Sequence, residues 1–208
     1  MTKYDLVRED YDNVDTGFHN SYDSTQEFSS AINSFCSRLS ADANILNVGG
    51  TTSECNYFLQ QHLNVTNIDI SQAMLDQISN NVNQVKLVNG NIKDYVSPVF
   101  DGVWACRSLI HIPPPDINEV LKNICRLTKP GGVFGAVFFV SSTNQIVEEE
   151  QPERHTTKAG IKFYRALYPP TVIKSKIEQA GFSILRVDSY LDRDKEGVIY
   201  IEAVPRPL

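Results

Sequence analysis

Hydrophobic positions along this chain recur in two periods. Phe28, Ala31, Ile32, Phe35 and Leu39 return at three- and four-residue intervals behind a Ser-x-x-Glu pair at Ser24 and Glu27, which predicts a capped amphipathic helix. Short apolar runs then alternate with helical stretches. Residues 43–48 (ANILNV) predict a strand closed by Gly49 and Gly50, and a helix over about 53–62 follows. Residues 65–70 are the next strand, Ser71 caps a helix to about 80, and 85–88 is a third strand broken by Gly90 and Asn91. Strand four covers 102–106. Asp116 and Glu119 form a second capping pair, opening a helix to Leu127, and Lys129-Pro130-Gly131-Gly132 turns into the strand 133–140. Strands alternating with helices imply a parallel, doubly wound α/β sheet.

The last part breaks this alternation. A helix over 171–180 stops at Gly181, and strands 183–191 and 198–204 are joined by residues 192–197 alone. A parallel crossover needs about a dozen residues or more, so these two strands are expected to form an antiparallel hairpin. The expected fold is a Rossmann-like sheet of seven strands, mostly parallel, flanked by helices. One domain accounts for all 208 residues: a cap segment and helix over 1–42, a ligand-binding core over 43–140, a lid over 141–170, and the closing helix and hairpin over 171–208.

Composition narrows the functional classes. The chain is 41% hydrophobic and 21% charged, as a folded domain is. Its longest apolar run, 133–140, is far shorter than a membrane span needs, and its first residues lack the apolar stretch of a signal peptide. Cys36, Cys55, Cys106 and Cys125 are widely spaced, with no CxxC pair to suggest zinc. A cytoplasmic protein with reduced thiols and no metal is expected. Net charge is -6, and residues 1–30 carry seven acidic against two basic side chains. No basic stripe is present to neutralise phosphates, so nucleic acid is not an expected partner, nor is a membrane.

Ligands of an open α/β sheet bind beyond the carboxyl ends of its strands. Gly49, Gly50 and Thr51 stand at the first such end, where glycine lets the backbone approach a ligand. Asp69 follows twenty residues after Gly49 and suits the two hydroxyls of a ribose; its other reading is a cap for the helix after Ser71. Ile70, Met74 and Ile92 offer apolar surface to a base, or belong to the core. The spacing GxGxxG is absent, since Thr51 and Glu54 occupy the later glycine positions, which disfavours a dinucleotide oxidoreductase.

Taken together, LNVGG (46–50), NIDISQAML (67–75), VNGNIKDY (88–95), FDGVWACRSLIHIP (100–113), LTKPGGVF (127–134) and YPPTVIKSKIEQAGF (168–182) resemble the class I S-adenosylmethionine-dependent methyltransferases, in particular their small single-domain bacterial members. The resemblance covers nearly the whole chain. It implies that S-adenosyl-L-methionine is the cofactor and a small molecule the acceptor. It places Gly49 and its neighbours at the methionine portion, Asp69 on the ribose, and Asn91 and Ile92 at the adenine. Arg107, Ser108 and Leu109 fall at the methionine end, with His111 near the transferred methyl. An N-terminal tyrosine closes the site in similar proteins, here Tyr11, with Tyr4 or Tyr22 as substitutes. The chain departs from the family in having Asn47 for an acidic residue, Thr51 and Ser53 for glycines, and Asn91 for aspartate.

His111 is the expected base, since imidazole titrates near neutrality, or else a structural anchor. Residues 141–160 read as a polar lid or a plain loop, followed by Tyr164 and Arg165 as acceptor contacts or surface residues. Two alternatives share the fold: a noncatalytic cofactor-binding protein, and an enzyme that uses the cofactor for a reaction other than methylation.

Overall fold

A computed structural model describes residues 1–14, 23–152, 162–192 and 194–207. Its frame is one sheet with strand order β3-β2-β1-β4-β5-β9-β8. These strands are β1 (Asn44–Val48), β2 (Asn64–Asp69), β3 (Lys86–Asn89), β4 (Phe100–Cys106), β5 (Thr128–Phe139), β8 (Phe182–Leu191) and β9 (Gly197–Pro205). The first five are parallel, and β9 runs antiparallel between β5 and β8. The helices are α1 (Lys3–Asn13), α2 (Ser24–Glu27), α3 (Ser29–Cys36), α4 (Thr52–Gln60), α5 (Gln72–Asn81), α6 (Ile117–Leu127) and α7 (Pro170–Gln179). The expected Rossmann-like sheet, mostly parallel with its antiparallel end, is what the chain forms.

Burial on both faces explains why the central parallel strands are rich in apolar residues without a two-residue alternation. Ile45, Leu46, Val103 and Val137 are fully buried, and Trp104 is the centre of an aromatic cluster with Phe35, Phe58 and Tyr200. Where β5 meets β4, Lys129–Gly132 bulge out of register, with Gly131 at φ +80°.

Several local expectations are corrected. The helix after Ser24 breaks at Phe28 into α2 and α3. Asp23, not Ser24, caps it by accepting from the Thr25 N–H at 3.0 Å, while the Ser24 hydroxyl donates to Glu54 at 2.9 Å. Asp116 makes no side-chain cap on α6; it accepts instead from the Tyr4 hydroxyl and Lys93. Ser71 does cap α5, accepting from the Met74 N–H at 3.2 Å. The segment expected as a polar lid contains a two-stranded antiparallel ribbon, β6 (Val147–Pro152) with β7 (Lys162–Leu167). Its residues 153–161 lie outside the described residues, as does Tyr22. Helix α1, unexpected from the sequence, is set by a capping box between Thr2 and Asp5. Among the described residues no helix is long and apolar enough to cross a membrane.

Candidate functional site

The carboxyl ends of β1, β2, β3 and β4 open into one cavity of about 210 Å³, at the point where strand order reverses between β1 and β4. α1 covers it from above through Tyr4, Val7 and Tyr11. Tyr11, Gly49, Thr51, Asp69, Ile70, Met74, Asn91, Ile92, Arg107, Ser108, Leu109, His111 and Arg165 all contribute to its wall. Gly50 and Tyr164 do not.

The two adjacent glycines have separate jobs. Gly49 adopts φ +63°, and a Cβ there would meet the Ser108 Cβ at 2.6 Å, so only glycine lets these two chain segments meet at the cavity. A Cβ on Gly50 would instead fall 1.8 Å from the Asn47 amide, beneath the loop. Asn47 and its register neighbour Asn67 are fully buried there and lie off the wall. Thr51 resolves the missing glycine: it caps α4 in a reciprocal box with Glu54, and its hydroxyl also bonds Ser53 at 3.0 Å. The hydroxyl is thereby engaged along the helix start.

Asp69 ends β2 half-buried. Its Oδ1 accepts from the Ser71 N–H at 2.8 Å, so the capping reading holds for one oxygen while the residue still faces the cavity. Burial pushes its carboxyl up to about 7, with Asp12 adding to the rise and the Ser71 bond opposing it. Asp12, at the end of α1, accepts from the Ser71 hydroxyl at 2.6 Å, tying the covering helix to α5.

At the other end, the partners of His111 fix its tautomer. Nδ1 lies 2.6 Å from the Tyr164 carbonyl oxygen, which can only accept, so Nδ1 carries the proton and Nε2 accepts from the Tyr11 hydroxyl at 2.9 Å. Burial brings the imidazole down to about 4, and Arg107 and Arg165 oppose its protonation further. The neutral ring is therefore the resting form, not one poised near neutrality as expected from the sequence. Tyr11 also stacks on Phe163 at 4.2 Å.

Beyond His111 two arginines flank the Phe139 ring, Arg107 at 5.3 Å and Arg165 at 4.9 Å. Arg107 holds φ +56°, its N–H bonded to the Val137 carbonyl at 2.9 Å. Strain of this kind concentrates at functional sites. Arg165 donates to Glu149 at 2.6 Å and to both oxygens of Glu196 at 2.9 and 2.6 Å. Arg165, expected as an acceptor contact or a surface residue, thus lines the cavity with protein carboxylates occupying its fork. Tyr164 is likewise turned away, its hydroxyl donating to Glu148 at 2.7 Å. Asp192, Asp194 and Glu196, on the loop between β8 and β9, complete this wall; no sequence signal distinguished them from an ordinary hairpin turn.

Residues 45–132, which supply most of this wall, match the model of the methyltransferase domain family. Over these residues the chain is similar to that family. Sterol 24-C-methyltransferase of Aspergillus fumigatus is 29% identical over 97 residues, 45% of this chain and 25% of that protein. An uncharacterized methyltransferase of Synechocystis is 24% identical over 144 residues, covering 64% of this chain and 63% of that one. The chain thus spans about a quarter of the length of the sterol methyltransferase it matches. In fold, the chain is similar to the 1,6-didemethyltoxoflavin-N1-methyltransferase of Burkholderia thailandensis, solved with bound 1,6-didemethyltoxoflavin and S-adenosylhomocysteine: TM-score 0.74 and 18% identity, covering 98% of this chain and 88% of that one. The fold is shared.

Proposed function

We propose that this methyltransferase domain binds S-adenosyl-L-methionine in the cavity and directs methyl transfer to a small-molecule acceptor. The observation that carries the reading is the meeting of the Gly49 backbone, the Asp69 carboxylate and the Ser108 hydroxyl on one wall. Ser108 Oγ is buried with no hydrogen-bond partner among the described residues, a state that costs roughly 1–3 kcal/mol unless a ligand supplies one. The names of the relatives support the same chemistry.

When bound, the cofactor supplies an electrophilic methyl group on a sulfonium. Asp69 would accept from the ribose hydroxyls, Met74, Ile70 and Ile92 would enclose the adenine, and Asn91 would offer its carbonyl to the adenine amino group. Arg107 and Ser108 would hold the methionine end. Tyr11, Phe163 and Phe139 would keep water from the acceptor. His111 is a weak base at neutral pH, so it suits an acceptor whose proton becomes acidic only as the methyl arrives. A cavity roofed by α1 and walled by acidic residues supports a small acceptor over a nucleic acid, and four free cysteines accord with a cytoplasmic setting.

Calorimetry with S-adenosylhomocysteine tests the reading directly. Binding is expected in the micromolar range or tighter, weakened about tenfold or more in Asp69→Ala. Absence of binding at about millimolar ligand would overturn the proposal, and binding without turnover on any acceptor would favour a noncatalytic protein.

A further inference from the structure

Strand β8 ends the sheet, and among the described residues no strand pairs with its outer rim. Leu185, Val187 and Leu191 stand exposed on it at 46, 38 and 72%. An uncovered rim of this kind is a template for another strand.

The charges on β8 specify which strand. Arg186 and Asp188 flank Val187 and form an ion pair within the chain at 2.7 Å. A two-fold axis through Val187 would lay the strand antiparallel against a second copy, setting Arg186 opposite the partner's Asp188 and Asp188 opposite the partner's Arg186. Val187 would then face its own counterpart. Shifting the axis by one residue, to Asp188, sets two aspartates face to face, which disfavours that register. A self-complementary patch is what a closed two-fold contact requires.

We propose that β8 is a self-association edge through which two copies of this chain join antiparallel about Val187. Because β8 runs directly into the loop bearing Asp192 and Glu196, the pairing would also brace the cavity wall those residues form.

Sedimentation of the full chain from about 1 to about 500 μM tests this, the range that edge contacts of modest area occupy. The wild type should approach twice the 23.4 kDa protomer mass. R186D and D188R each place like charges opposite one another and should associate about fivefold more weakly or worse. Mixing R186D with D188R restores opposite charges across the axis, so the mixture should dimerise more tightly than either variant alone. Val187→Lys should remain monomeric with an unchanged circular dichroism spectrum. A wild type that stays monomeric throughout, a Val187→Lys dimer, or a mixture no more associated than its components each overturns the proposal.

Discussion

Asp69 and His111 line one cavity, yet burial moves their proton equilibria in opposite directions. The native state holds the Asp69 proton more tightly than the unfolded chain does, so stability from this group is lost as pH rises from about 4 toward 7. His111 refuses a proton that the unfolded chain accepts, so stability from that group is lost as pH falls from about 6.5 toward 4. The two effects oppose each other over the same window. Asp69→Asn should therefore gain stability over the wild type as pH rises from about 5 to 7.5 in urea titrations; a constant difference would refute the assigned shift. If ionised Asp69 accepts the ribose hydroxyls, affinity for S-adenosylhomocysteine should rise about tenfold between pH 6 and pH 8 and become flat in Asp69→Asn. His111→Ala should lower turnover by about tenfold or more with ligand affinity held within about twofold. A rate near that of the wild type would leave His111 as only the anchor of Tyr11 and the Tyr164 carbonyl.

Helix α1 places a roof over the site with a single buried apolar residue, Val7. Polar contacts fasten it: Tyr4 to Asp116, Tyr11 to His111, and Asp12 to Ser71. Val7→Asp should undock it, weakening S-adenosylhomocysteine binding by about tenfold and raising amide exchange in residues 3–13 while the sheet stays protected. The same economy of apolar contact explains why α1 was not legible in the sequence. Its partners lie far along the chain, and its apolar period, Tyr4, Val7 and Tyr11, is sparse among charged residues. The ribbon of β6 and β7 was hidden for a related reason, since Glu148, Glu149 and Glu150 read as loop, and their pairing with Tyr164 and Arg165 appears only in three dimensions. By contrast, β1, β2, β4 and β5 were legible because burial on both faces demands mostly apolar segments, interrupted in β1 and β2 by the buried Asn47 and Asn67. The Gly49 and Asp69 positions followed from those strands. Gly50 was misplaced because adjacent glycines look alike in sequence, and only the packing of Asn47 separates them.

At the scale of the whole molecule, ligand binding and folding are linked. S-adenosylhomocysteine at about 100 times its dissociation constant should add about 2.7 kcal/mol, raising the melting temperature by roughly 5–10 °C for a chain of this length. A scan unmoved at saturation would contradict binding to the native state. The placement of β9 between β5 and β8 carries a kinetic consequence. During translation, β5 leaves the ribosome with its apolar flank bare, and its neighbour in the sheet is not made until about 60 residues later, several seconds at typical elongation rates. β8 emerges first but has nothing to join, because the slot between it and β5 is still vacant. Nascent chains of this protein should therefore pass through an interval in which a sticky half-sheet depends on chaperones, and mutations that slow the arrival of β9 would show up as aggregation during synthesis before they showed up as lost stability.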